Sequence, residues 1–296
     1  MNFKTKLFLI LLSSFYIQLN AHKMIILVST PRSLSTVFLR MMENRGDFTV
    51  FNEPGIITFL KTNNNPLVDE SDESTSFSNV WNTINAAHKD NHVFIKEMFF
   101  AADAYLINEN FMQNRDCYFV FLVRNPHHAS LSNFKKLYGA TKSYTKIWNI
   151  KRTVSHFMNY SALYLSYQNV LHNSINRPYV IIAEDLITHP NKTVTDFCNF
   201  VGIPMKEEFL QWESHTNYPT EEKWNDPKSS SMAHFWHEEA LKSSCFSTPT
   251  QYKINANGEP TFEEIENTEL RASFLWEYFD NLTYYNLFTK ITDTQS

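Results

Sequence analysis

The chain has 296 residues, a net charge of -5 at pH 7 and 19% charged residues. This length can bury a real core in one large domain, and the lack of a basic excess speaks against nucleic acid as a partner. The three cysteines, Cys117, Cys198 and Cys245, are too few and too far apart for a disulfide framework. Cys117 and Cys198 lie in apolar runs and are predicted core thiols. No CxxC or HExxH spacing occurs, so we expect no metal.

The first 21 residues have the pattern of a secretory signal, in which lysines precede an apolar run at 7–19. At about 1.5 Å per residue this run covers roughly 20 Å, which is short of the roughly 30 Å bilayer core. We therefore expect a cleaved signal, no stable membrane span, and a secreted or lumenal domain at 22–296. Translation could instead begin at Met24, directly before the first strand, and the protein would then be cytoplasmic.

Beyond residue 23, short apolar runs alternate with helical patterns. The runs are rich in Val, Ile, Phe and Leu and nearly continuous, which is typical of strands buried on both faces. Alternating βα units favour an α/β fold with a parallel sheet of about five strands, flanked by helices. We see no internal repeat and no linker, so we predict a single domain with helical insertions. The predicted strands are 25–29, 48–52, 92–98, 118–124 and 179–183.

The helical predictions vary in how clearly the sequence defines them. Residues 36–43 have helical spacing and a capping residue, Ser35 or Thr36, at their start. Residues 144–176 and 262–288 are predicted as further long helical stretches. Residues 61–78 are polar and without period, so they are predicted as a loop, and residues 212–260 have little period.

The segment STPRSLST, which follows the first strand, has the character of an anion site. A helix N-terminus offers free N–H groups and the positive end of its dipole. Arg32 adds a planar fork that fits phosphate or sulfate, and Ser33, Ser35 and Thr36 add hydroxyls. The alternative is an ordinary βα turn with a surface arginine. The signature GxxxxGK[ST] is absent, which disfavours ATP or GTP.

A second candidate site lies in FLVRNPHHASLSNF, where Arg124 ends the fourth predicted strand and Ser132 follows eight residues later. Parallel α/β sheets bind ligands at the carboxyl ends of their strands. Arg124 is therefore a candidate ligand contact, although an arginine in this position can also pair with a structural carboxylate.

Together these segments resemble the P-loop sulfotransferases. TPRSLST is similar to the family's first motif, which holds the 5′-phosphosulfate of PAPS (3′-phosphoadenosine 5′-phosphosulfate). Arg124 and Ser132 match the pair that binds the 3′-phosphate in that family, and AEDLITHP with FVG resembles a third, mainly structural motif. The resemblance spans roughly residues 24–204 and implies a P-loop-type sheet. Leu34 replaces the family's glycine; it is tolerated if its φ is negative and strained if its φ is positive.

The resemblance also implies catalytic residues. Glu53, in TVFNEP, matches the base of the tyrosylprotein and Golgi carbohydrate sulfotransferases, and burial would raise its pKa towards neutrality. Cytosolic sulfotransferases use a histidine in a K-x-H motif, where this chain has Lys96 and Met98. Lys96 could neutralise the sulfuryl group or form a structural ion pair, and Glu53 could instead be a structural partner of Arg32.

The sequence thus predicts a PAPS-dependent sulfotransferase that needs no metal and acts on a hydroxyl of a sugar, tyrosine, lipid or small molecule. A P-loop kinase for a small substrate and an inert PAPS-binding or partner-binding protein are the alternatives. The predicted catalytic residues are Glu53, Arg32 and Lys96, and the predicted donor contacts are Arg32, Ser33, Leu34, Ser35, Thr36, Arg124 and Ser132. Lys253 is a weaker candidate for the 3′-phosphate, and Trp224, Phe235, Trp236 and His237 either line an acceptor pocket or pack in the core.

Overall fold

A computed structural model describes residues 22–63, 76–154, 158–214, 230–246 and 261–295. Its sheet has five strands, all parallel, in the order β2-β3-β1-β4-β5, and helices flank it. The α/β prediction is therefore confirmed, with two strands ending one residue earlier than expected. The strands are β1 (Met24–Ser29), β2 (Phe48–Asn52), β3 (His92–Met98), β4 (Cys117–Val123) and β5 (Tyr179–Ile182).

The helices follow the strands in the expected alternation. They are α1 (Ser35–Arg45), α2 (Ile56–Thr62), α3 (Phe77–Asp90), α4 (Phe99–Tyr105), α5 (Glu109–Met112), α6 (Pro126–Thr141), α7 (Tyr144–Val154), α8 (Tyr160–Asn173), α9 (Ala183–Thr188), α10 (Pro190–Val201), α11 (Ser230–Leu241) and α12 (Thr268–Gln295). A short 3-10 helix, Glu207–Leu210, lies before α11. In the part of the chain that the structure covers, no helix has the length and apolar character needed to cross a membrane.

Three predicted segments are corrected. The long helical stretch at 144–176 is two helices, because Asn159 begins α8 with its side chain accepting from the N–H of Ala162. The predicted loop at 61–78 contains the end of α2 and the start of α3, where Ser76 caps the helix by accepting from Asn79. The segment 212–260, which lacked a clear period, contains α11.

The core lies on both faces of the sheet, which explains the continuous apolar runs. Along β1, Ile26 and Val28 pack into one layer, whereas Ile25 and Leu27 pack into the other. Burying every position of a central strand requires apolar side chains on both of its faces. Cys117 and Cys198 are free, buried thiols as predicted. β1 thus lies at the centre of the sheet, with β3 and β4 on either side.

Candidate donor and catalytic site

The loop between β1 and α1 has a strained backbone. Arg32 and Leu34 have φ values of 63° and 70°, in the left-handed region, where a side chain other than Asn or Asp costs about 1–2 kcal/mol. Leu34 is the N-cap of α1, and no side chain caps the helix there. The first N–H groups of α1 therefore face the loop without side-chain competition, and this arrangement suits an anion.

The hydroxyl groups predicted to contact the donor differ in their environment. Ser33 is fully buried, and its hydroxyl donates to the carbonyl of Thr30 at 2.8 Å. In this conformation that hydroxyl holds the loop together, and the contact of Ser33 with the donor stays a prediction. Ser35 and Thr36, in the first turn of α1, are 3% and 9% exposed.

Arg32 connects the loop to two distant parts of the chain. Its Nε donates to Ser132 Oγ at 3.0 Å, and one terminal nitrogen donates to the carbonyl of Trp236 at 2.9 Å. The other terminal nitrogen lies 3.3 Å from the carboxylate of Glu239, whose side chain is 74% exposed. The guanidinium therefore contacts α6 and α11 at once, whereas the carboxylate of Glu53 forms an ion pair with Lys96.

Arg124 lies directly after β4 and is 5% exposed. One of its terminal nitrogens donates to the carbonyl of Arg32 at 2.8 Å, and Tyr160 donates its hydroxyl to the carbonyl of Arg124 at 2.7 Å. The two predicted phosphate-binding segments are thus in direct contact, through Arg124 to Arg32 and through Arg32 to Ser132.

Glu53 follows β2 with a φ of 49°. Its N–H donates to the carbonyl of Lys96 at 2.7 Å, and its carboxylate forms an ion pair with the fully buried ammonium of Lys96. Such backbone strain is commonly found at functional sites. Of the two roles considered for Lys96, the structure shows an ion pair, with Glu53 as the partner. The two residues form the candidate catalytic pair.

The expected rise in the pKa of Glu53 is wrong for this state of the protein. Burial acts upward, but the charge of Lys96 and the contact with His237 outweigh it and hold the pKa of Glu53 well below its usual range. A carboxylate in contact with an ammonium is stabilised in its charged form. Glu53 is therefore ionised and ready to accept a proton, but it is a weak base for as long as Lys96 remains beside it.

Glu97 lies next to Lys96 in β3 and stabilises the turn that follows β2. One carboxylate oxygen accepts from the N–H of Gly55 at 2.8 Å and from the hydroxyl of Tyr105 at 2.7 Å, and the other accepts from the N–H of Met98 at 3.0 Å. A Cβ at Gly55 would collide with the Tyr105 ring. Glu97 therefore fixes the turn that begins at Glu53.

This environment also shifts the pKa of Glu97. Burial and the nearby charge of Glu53 raise the pKa of Glu97 to about 7, even though its three hydrogen bonds act in the opposite direction. A charged residue in the middle of the apolar run HVFIKEM was the available sequence signal for a buried polar role.

For His237 the sequence left open whether the side chain lines an acceptor pocket or packs in the core. Its side chain is 7% exposed, and its Nε2 lies 3.5 Å from Oε1 of Glu53. Met98, at the position of the K-x-H histidine, ends β3 and is 9% exposed. Trp224, Lys253 and the side chain of Phe235 lie outside the described residues.

The match to a sulfotransferase-domain model covers residues 23–255, which include the loop, Glu53, Lys96 and Arg124. The chain belongs to the sulfotransferase-domain family. The P-loop resemblance stated from the motifs is therefore confirmed at the level of the family.

Individual relatives are more distant. Branched-chain-amino-acid aminotransferase-like protein 2 of Arabidopsis thaliana is 26% identical over 229 residues, which make up 76% of this chain but only 36% of that relative's length. The sulfotransferase domain from the curacin biosynthetic pathway is 15% identical, with 85% of this chain and 90% of that chain covered and a TM-score of 0.38. A sulfotransferase from Alicyclobacillus acidocaldarius is 14% identical, with 64% and 89% covered and a TM-score of 0.41.

Proposed function

We propose that this protein transfers a sulfuryl group from PAPS to a hydroxyl group of its acceptor. The observation that carries the proposal is the contact between the two candidate phosphate sites. Arg124 donates to the backbone of Arg32, 92 residues away in sequence, and Arg32 donates to Ser132, 100 residues away. A single ligand with a phosphate at each end of its ribose fits two cationic segments that touch.

In this proposal the 5′-phosphate binds at the N-terminus of α1, with Arg32, Ser35 and Thr36 around it, while Arg124 and Ser132 bind the 3′-phosphate. The strained backbone at Arg32 and Leu34 turns the loop N–H groups around the anion. The carboxylate of Glu239 pairs with one terminal nitrogen of Arg32, and the donor's phosphate must displace this exposed carboxylate.

The chemistry follows from the pairing of Glu53 with Lys96. The acceptor oxygen attacks the sulfur and gives its proton to Glu53, while the bond from sulfur to the bridging phosphate oxygen breaks and that oxygen keeps the electron pair. Lys96 turns from Glu53 to the negative sulfuryl oxygens, and its departure raises the pKa of Glu53 as proton transfer begins. Positioning and charge stabilisation supply the rest of the acceleration.

An inert PAPS-binding protein is the second candidate, and the positive φ of Leu34 is the observation that favours it. The side chain at the family's glycine position strains the loop and would weaken the donor's fit. A small-substrate kinase fits less well, because the phosphate loop lacks the Walker lysine. The sugar, tyrosine, lipid and small-molecule acceptors are all compatible with the proposal, as are a lumenal and a cytoplasmic location.

Thermal unfolding tests the donor assignment. At 100 times its Kd a ligand stabilises the folded state by about 2.7 kcal/mol, so PAP (adenosine 3′,5′-bisphosphate) should raise the Tm clearly and ADP much less. In Arg124→Ala the preference for PAP over ADP should disappear. Equal shifts with the two nucleotides, or none, would refute the 3′-phosphate assignment.

A further inference from the structure

One turn of α11 touches both halves of the candidate site. The carbonyl of Trp236 and the carboxylate of Glu239 contact the guanidinium of Arg32, which belongs to the donor loop. Between them, His237 turns towards Glu53 and lies 3.5 Å from its carboxylate. The side chain of His237 therefore lies where the donor loop and the candidate base meet.

The surroundings of His237 fit a neutral ring that donates to a carboxylate. Glu53 faces it from the end of β2, Lys96 from β3 and Arg32 from the donor loop. Burial, together with the charges of Lys96 and Arg32, lowers the pKa of His237 against the opposing influence of Glu53. A neutral imidazole can present Nε2–H to Glu53 and leave the carboxylate its charge.

Glu53 needs this second partner during catalysis. In the proposed reaction Lys96 moves towards the sulfuryl group, and the Glu53 side chain is only 15% exposed. A buried carboxylate that loses an ion-pair partner is strongly destabilised and turns away or takes up a proton too early. A distance of 3.5 Å is long for a hydrogen bond, but catalytic contacts commonly shorten when the substrate binds.

We propose that His237 is a positioning residue whose Nε2–H holds the carboxylate of Glu53 in place when Lys96 turns to the donor. The proposal rests on the proposed sulfuryl transfer and adds a residue from α11 that acts through Glu53. Histidine in this role orients the base and does not itself touch the acceptor.

The first test does not depend on turnover. Nitrogen-15 NMR of the full chain with PAP reports which ring nitrogen of His237 carries the proton at pH 7, and His237→Gln identifies its signals. The expected result is a neutral ring protonated at Nε2. A ring protonated only at Nδ1 would overturn the proposal, whether or not the protein is an active sulfotransferase.

The second test separates positioning from packing. His237→Leu should lower kcat by about 10- to 100-fold, the value of a hydrogen bond to a charged group, and leave the KM for PAPS within about 3-fold. The acidic limb of the kcat profile should move to higher pH, because Glu53 loses a neighbour that lowers its pKa. His237→Gln keeps an N–H donor and should restore most of kcat and the position of the limb.

His172→Gln is the matched control, since the exposed ring of His172 contacts the backbone carbonyl of Gln168 within α8 at 2.7 Å and is not among the candidate site residues; it should keep wild-type kinetics. An unchanged kcat in His237→Leu, a fall in kcat without movement of the acidic limb, or no rescue by His237→Gln would each overturn the positioning role. If the wild-type protein neither binds PAP nor turns over, the proposed function fails, and the same NMR measurement on the ligand-free chain still decides the contact.

Discussion

Replacing Glu97 by glutamine should change how the stability of the protein depends on pH. The pKa of Glu97 is raised from an ordinary value of 4.5 to about 7. The folded state therefore binds the proton more tightly than the unfolded state, so this contribution is complete below pH 4.5 and is lost as pH rises through 7. At about 1.36 kcal/mol for each pH unit of the gap, the loss is about 3 kcal/mol in wild type and absent in Glu97→Gln.

Urea unfolding followed by tryptophan fluorescence, at several pH values from 4.5 to 8, measures this effect. The free energy of unfolding of wild type minus that of Glu97→Gln should fall by about 3 kcal/mol across the range. Taking the difference cancels the buried histidines, which titrate in both proteins. In Tyr105→Phe the fall should extend to higher pH, because the Tyr105 hydroxyl lowers the pKa of Glu97.

A difference that stays constant from pH 4.5 to 8 would refute this reasoning, since it would mean that Glu97 titrates normally in the folded state.

The Glu97→Gln variant should also slow the proposed reaction. Glutamine has one acceptor oxygen for the N–H groups of Gly55 and Met98, and an unpaired buried group costs about 1–3 kcal/mol. The turn that begins at Glu53 would lose one of its anchors.

Three further variants test the site. Leu34→Gly should relieve about 1–2 kcal/mol of strain and leave the calorimetric Kd for PAP unchanged or lower; a Kd more than about 10-fold higher would show that the leucine is needed. Glu239→Gln should tighten PAP up to about 5-fold, the limit for an exposed ion pair, and weaker binding would contradict competition at Arg32. Lys96→Met should lower kcat by about 100-fold or more and raise the pKa of Glu53, seen as an acidic limb of kcat/KM at higher pH; an unmoved limb would deny the pairing.

The parts of the molecule that could be predicted from sequence are those encoded by local pattern. Continuous apolar runs identified all five strands, because a central parallel strand must be apolar on both faces. The eight-residue spacing of Arg124 and Ser132 predicted that a strand end and the following helix bring both to one site, and both contact Arg32; their binding of a phosphate stays a prediction.

The remaining features depend on tertiary contacts that no local pattern records. The fold brings Trp236 and Glu239 to Arg32 from 204 and 207 residues away. The sequence of α11 has no clear hydrophobic period from which this helix could be predicted. Whether the pKa of Glu53 is raised or lowered depends on the balance between burial and the contact with Lys96, and that balance is set by the three-dimensional arrangement of the two residues. The backbone angle of Leu34 likewise follows from the closed loop and not from the leucine itself.

The most direct measurement of the central claim is transfer of sulfur-labelled PAPS to a library of sugars, tyrosine peptides, lipids and small alcohols by wild type and Glu53→Gln. We predict that wild type moves the label to a hydroxyl and releases an equal amount of PAP. Glu53→Gln should bind PAP normally but transfer about 100-fold more slowly or worse, as expected for loss of a general base. Tight PAP binding by wild type without transfer to any hydroxyl, or full turnover by Glu53→Gln, would contradict the account.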